Sequence, residues 1–254
     1  MLTFVFVLLV FLTLEVWGFV NKRKIPGFRR PIAVSGAAAL PGSVTPEGIG
    51  EKIIYDVMLG KIRMGSAVFE YVARTELDQR PADLFTFSTR AARFTDFEKI
   101  FSDPVTSLPL RVERDINAWA KKEKIVERYD QQAFSLSVEK YAGGRQTTQS
   151  FKKGSVIHNA ILLPSVVRRT QHMSPGWSLK VNLPTREFTI TFAGIEEITL
   201  PSGKFRASRF TSVPERFEIW ISADRYQIPL KIKGTTGVGY TLVMREYVKS
   251  PGTP

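Results

Sequence analysis

From Glu51 onward, apolar and polar side chains alternate with a period of two, and this alternation constrains the fold more than any other feature. Successive side chains of a β-strand point to opposite faces, so alternation marks a strand with one face buried. In EKIIYDVML, Ile53, Tyr55, Val57 and Leu59 share a face; in SAVFEYVAR, Ala67, Phe69, Tyr71 and Ala73 do. Gly60 to Gly65 lies between them as a hairpin connection. DLFTFSTRA puts Phe85 and Phe87 on one side, and EFTITF aligns Phe188, Ile190 and Phe192 against Glu187, Thr189 and Thr191. EEITLPSGKFRASRF reads strand, turn, strand, with Pro201, Ser202, Gly203 and Lys204 as the turn. FEIWIS sets Phe217, Ile219 and Ile221 against Glu218 and Trp220, and IPLKIK and VGYTLVMREY complete the series.

Three stretches read less simply. RFTDFEKIFSD, around Phe94 to Ser102, reads as a short helix or a loop carrying Phe97 and Phe101 inward. INAWAKKEKIVERYD is rich in helix-favouring Ala, Lys and Glu, but its place between strand-like runs assigns it to paired strands. The one helix expected is HNAILLPSVVRRTQHM, about His158 to Gln171, kinked or split by Pro164. The sum is a mainly-β fold: a single antiparallel β-barrel or strongly curved half-barrel sheet with one short helix. An N-terminal hydrophobic helix and a linker precede it.

Residues 1–20 are apolar except for Thr3, Thr13 and Glu15. A helix needs about 20 such residues to cross a bilayer, and Phe4 to Leu14 also fits the apolar region of a signal peptide. The segment is therefore a signal peptide or a membrane anchor. Lys22, Arg23, Lys24, Arg29 and Arg30 follow it, and no basic residue precedes it. By the positive-inside rule this cluster would hold the C-terminal side in the cytoplasm, which conflicts with export. Residues 21–49 form a basic Pro/Gly-rich linker, residues 50–249 the mainly-β domain, and residues 250–254 a tail. The expected location is the periplasm or cell envelope of a bacterium, secreted or held at the inner membrane by the N-terminal helix.

The chain has 36 Lys and Arg against 24 Asp and Glu, a net charge of +12. The basic cluster and Glu15 account for +4 of this, so the rest of the chain carries +8. Such a field favours anionic partners, an anionic lipid or another envelope molecule among them. It serves solubility equally well. There is no cysteine, which excludes disulfides, thiolate catalysis and thiolate metal sites. The two histidines, His158 and His172, would lie about 21 Å apart on one continuous helix, so they do not form a metal site. No metal and no cofactor is expected. The chain contains no G-x-S-x-G, no HExxH and no phosphate-binding loop. GTTGVGY, with Gly234, Gly237 and Gly239, lacks the Lys-Ser/Thr of a phosphate loop and reads as a bend. Asp96, Glu98 and Asp103 cluster among Phe94, Phe97 and Phe101, the acid-beside-aromatic pattern of a sugar subsite and of an ordinary loop alike. KFRASRF places Phe205 with Arg209 on one face and Arg206 with Phe210 on the other, so it offers no stacking platform. Nucleic acid is not an expected partner.

Several stretches together resemble a bacterial exported family, domain of unknown function 3108. They are GEKIIYDVMLGKIRMGSAVFEY, HNAILLPSVVRR, FAGIEEITLPSGKFRASRF and FEIWISADRYQIPLKIKGTTGVGYTLVMREY, spanning about Gly48 to Tyr247. The turn from Pro201 to Phe205, and the strand Ile219 to Ser222 followed by Ile228, Pro229 and Leu230, match most closely. The resemblance implies a periplasmic or lipid-anchored protein of mostly β structure, but the missing cysteine rules out lipoprotein processing. The architecture is also similar to the half-barrel lipid and lipoprotein carriers of the envelope.

Three functions compete. The first is non-catalytic binding of a lipid or another apolar ligand in a β half-barrel lined by Phe69, Tyr71, Phe85, Phe87, Phe188, Phe192 and Trp220. The second is a glycan- or lipid-acting hydrolase using Asp96, Glu98 or Asp103. The third is an envelope assembly factor that pairs through a sheet edge. No residue carries a catalytic signature.

Overall fold

A computed structural model describes residues 48–119, 121–169, 174–234 and 239–250. The apolar segment 1–20, the linker as far as residue 47, His172 and the tail from 251 lie outside the described residues.

The strands are β1 (Lys52–Leu59), β2 (Ile62–Leu77), β3 (Arg80–Ala91), β4 (Phe94–Ser102), β5 (Pro109–Ala118), β6 (Lys121–Asp130), β7 (Ser135–Ala142) and β8 (Arg145–Lys152). After a crossover segment with one short helix, α1 (Leu163–Arg168), come β9 (Ser178–Asn182), β10 (Glu187–Leu200), β11 (Gly203–Val213), β12 (Phe217–Ser222), β13 (Pro229–Gly234) and β14 (Thr241–Val248). All join one antiparallel sheet in the order β8-β7-β6-β5-β4-β3-β2-β1-β14-β13-β12-β11-β10-β9. Two meanders thus meet where β1 pairs with β14, from Lys52 opposite Val248 to Met58 opposite Thr241.

The sheet is open, so the closed barrel does not form. β8 and β9 are its two edges. The crossover that follows β8 packs residues between Ile157 and Val167 against the sheet. Its Ile157 and Leu162 enter one buried cluster with Tyr55, Phe69 and Phe87, and its Leu163 and Val167 enter another with Ile190, Phe210 and Ile219. The curvature has local causes. β10 carries a bulge between Phe192 and Gly194, and Gly194 sits at φ +130°, a conformation that suits glycine. At Gly65 the neighbouring strand comes so close that a β-carbon would lie 2.1 Å from the Arg90 carbonyl oxygen.

Two sequence expectations are corrected. Phe94 to Ser102 is a regular strand, not a helix or loop. Phe94, Asp96, Glu98 and Ile100 face inward, while Phe97 is 39% exposed and Phe101 half-buried. The acids take the inner face because Arg114 lies directly opposite Glu98 on β5. The helix is also shorter than 158–171. It begins at Leu163, with Pro164 in the first turn, where the missing amide costs nothing. Upstream, the Asn159 side chain accepts from the Ile161 amide at 2.9 Å and turns the chain into α1. INAWAKKEKIVERYD forms the end of β5 and all of β6, as expected.

Candidate functional site

The concave face between β3 and β13 is apolar, and the crossover segment roofs it. Tyr55, Phe69, Phe87, Pro229, Ile232 and Leu242 form the walls, and Ala160, Ile161, Pro164 and Ser165 the roof, of a cavity of about 40 Å³. A water needs at least about 10–15 Å³ by this measure, so the space holds a few waters and no acyl chain. The walls are set by packing. Phe85 stacks on Phe69 at 5.4 Å and on Tyr71 at 4.6 Å between ring centroids. The Tyr55 hydroxyl donates to the Pro229 carbonyl at 3.0 Å, and the Tyr71 hydroxyl to Asp83 at 2.7 Å. Burial pushes both phenols far above their ordinary range.

The roof is fastened at its ends by polar contacts. At the first end, the Gln131 side chain accepts from the Ile157 amide at 3.0 Å and donates to the Ile157 and Pro109 carbonyls at 2.9 Å each. The His158 amide donates to the Asn182 carbonyl at 2.7 Å, and the Asn182 amide donates to His158 Nδ1 at 3.2 Å. His158 is buried, and burial lowers its pKa to about 4. At the second end, Arg168 grips the Glu51 carboxylate at 3.0 Å through both terminal nitrogens and donates to the Tyr226 carbonyl at 2.8 Å. Arg169 donates to the Pro104 and Val105 carbonyls at 2.8 and 2.7 Å. Between these ends, the roof side chains that meet the cavity are mainly apolar.

A polar cluster adjoins the apolar wall on β4 to β6. Arg114 donates to Asp96 from both Nε, at 2.8 Å, and a terminal nitrogen, and its Nε lies 3.4 Å from Glu98. Burial pushes the Glu98 carboxyl up to about 8; Arg114 opposes the shift, and Asp96 and Glu127 add to it. Burial also raises Asp96 and Glu127. Asp103 is not part of this group. It closes the β4–β5 turn, accepting from the Val105 and Thr106 amides at 3.0 and 2.7 Å. Among the described residues no group of three or more His, Asp and Glu is placed to hold a metal ion.

Of the seven aromatic residues singled out in the sequence, Phe69, Tyr71, Phe85, Phe87 and Trp220 fall in one buried cluster. Phe188 and Phe192 belong to the second cluster, under α1. Trp220 lies on the opposite face of β12 from Ile219 and Ile221. There its indole donates to Glu196, with Lys231 4.5 Å and Arg209 5.6 Å from the ring centroid. Alternation along FEIWIS already separated Trp220 from its neighbours. The roof and its fastenings had no such signal, because they depend on contacts between residues far apart in sequence.

The family model described as "Protein of unknown function (DUF3108)" matches residues 54–245. The chain belongs to the DUF3108 family. This DUF3108 chain also aligns with the crystal structure of a β-barrel-like protein of domain of unknown function DUF1849 from Brucella abortus. That match has 9% identity and a TM-score of 0.51, and covers 80% of this chain and 99% of the other. The likeness is one of fold alone. A Bacteroides fragilis protein with a YmcC-like fold aligns over 80% of this chain and 98% of its own at 9% identity, but its TM-score of 0.30 carries no argument. No curated protein matches the DUF3108 chain.

Proposed function

We propose that the domain is a non-catalytic carrier of the bacterial cell envelope that holds an apolar ligand, the acyl chain of a lipid, between its concave sheet and the crossover segment. The observation that carries this reading is the slot under residues 160–165: apolar walls below, and above them a roof fastened by polar groups at its ends. In the closed form the cavity is too small for the ligand, so uptake requires the roof to lift. Each CH₂ buried contributes about 0.8 kcal/mol, so an acyl chain offsets the cost of opening without any catalytic group. The apolar run at residues 1–20 supports a place in the envelope.

The test is solvent extraction of the purified full chain followed by mass spectrometry, with titration by a fluorescent fatty acid. Lipid is expected in the extract. Substituting Gln131→Ala and Arg169→Ala loosens both ends of the roof and is expected to speed probe uptake. An empty extract, together with no uptake by either protein, would count against the carrier.

A second reading, assembly through a sheet edge, draws on β8. Seven of its eight residues are exposed, and among the described residues no strand pairs with its outer edge. Slowed amide exchange across residues 145–152 in envelope extract, compared with buffer, is expected if a partner strand adds there; unchanged exchange would remove the reading.

A further inference from the structure

The turns β1–β2, β3–β4, β5–β6 and β7–β8 leave the sheet at the same end, because the strands form an antiparallel meander. Each turn brings exposed cations to that end: Lys61, then Arg90 and Arg93, then Lys121 and Lys122, then Arg145. The acids nearest these turns in sequence are already neutralised. Asp56 holds Arg63, Asp96 holds Arg114, Asp115 holds Lys124, Glu123 holds Lys140 and Glu139 holds Arg128. The opposite turns carry both signs, with Asp78, Asp103 and Asp130 alongside exposed Arg80 and Lys152. The unopposed basic charge of this half of the sheet is therefore gathered at the first end.

The basic end also shows apolar side chains to solvent. Ile62 is 65% exposed and Trp119 51% exposed. Trp119 is held in place: its amide donates to the Arg93 carbonyl at 3.1 Å, and the Arg93 guanidinium lies 5.2 Å from its ring centroid. An indole beside cations suits the interface of a bilayer, where the ring sits at headgroup depth and the cations meet lipid phosphates. A soluble polyanion would match the cations but gives no reason for Ile62 to project.

We infer that this rim of hairpin turns docks the protein on an anionic bilayer surface. The surface is separate from the roofed slot and stands without it. Cations at such a surface are worth about a fivefold gain in affinity each.

The test uses the full chain, which has no native cysteine. Asn117→Cys places an environment-sensitive fluorophore beside the rim, and Ala133→Cys places one at the opposite end. Each protein is mixed with neutral phosphatidylcholine vesicles and with vesicles containing phosphatidylglycerol. The Asn117→Cys label is expected to shift to the blue on anionic vesicles only and to revert in high salt, with Ala133→Cys unmoved. Lys121→Ala with Lys122→Ala should raise the lipid concentration needed by more than tenfold. The comparison of positions separates docking from insertion of residues 1–20, which would carry the chain to either vesicle. Equal responses at the two positions would overturn the inference. So would an equal response to neutral vesicles, or to a soluble polyphosphate.

Discussion

Replacing Arg114 by Met tests the buried polar cluster. The guanidinium is the cation shared by Asp96 and Glu98, and all three groups are buried. Removing one partner of a buried pair costs about 3–5 kcal/mol, because the remaining charge has neither water nor a partner. The cost must depend on pH. The Glu98 pKa is raised in the folded state from 4.5 to about 8. A raised folded-state pKa contributes stability that is complete below about 4.5 and lost as pH rises through about 8. The native protein should therefore weaken across that window, and Glu98→Gln should flatten the slope. In Arg114→Met the carboxyls bind protons more readily still, so the loss should be largest near pH 8 and smaller near pH 5. Urea unfolding followed by tryptophan fluorescence measures both. A loss below about 1 kcal/mol near pH 8, or one unchanged between the two pH values, would refute the reasoning.

Gly65→Ala places a β-carbon 2.1 Å from the Arg90 carbonyl oxygen and 2.8 Å from the Ala91 β-carbon. It should cost about 1–3 kcal/mol as β2 and β3 are forced apart, read as a lower urea midpoint. Phe85→Ala removes the ring stacked on both Phe69 and Tyr71 and should cost about 3–5 kcal/mol; Phe97→Ala, at an exposed position, should change stability by less than about 0.5 kcal/mol. His158 has its pKa lowered from 6.5 to about 4, so the stability it contributes is present above about 6.5 and lost as pH falls through about 4. Amide exchange at Ile157 and His158, corrected for the intrinsic rate, should therefore quicken between those pH values.

The alternation that begins at Glu51 carried most of the fold, because each half-buried strand records its own inner and outer faces. It failed at Phe94 to Ser102 for a specific reason. The stretch reads as a helix or loop carrying Phe97 and Phe101 inward, yet Arg114, lying across the ladder from Glu98, draws the acids to the inner face of a strand. Register between strands is not written in either strand alone. The same reason hid the roof: Gln131 meets Ile157 and Arg168 meets Glu51 only once the sheet has curved. Pro164 was legible as a helix interruption, but its use as a first-turn residue depended on the turn made by Asn159. Trp220 shares a buried cluster with Phe69, Tyr71, Phe85 and Phe87, while Ile219, of the other parity on β12, belongs to the second cluster.

Photolabelling with a diazirine-bearing fatty acid tests the carrier most directly, because it reports where an acyl chain lies. After irradiation and digestion, labelled peptides should come from β1 and β2 around Tyr55 and Phe69 and from the roof around Ala160 to Ser165, and excess unlabelled fatty acid should compete the label away. Label confined to β7 and β8, or scattered without competition, would contradict the account.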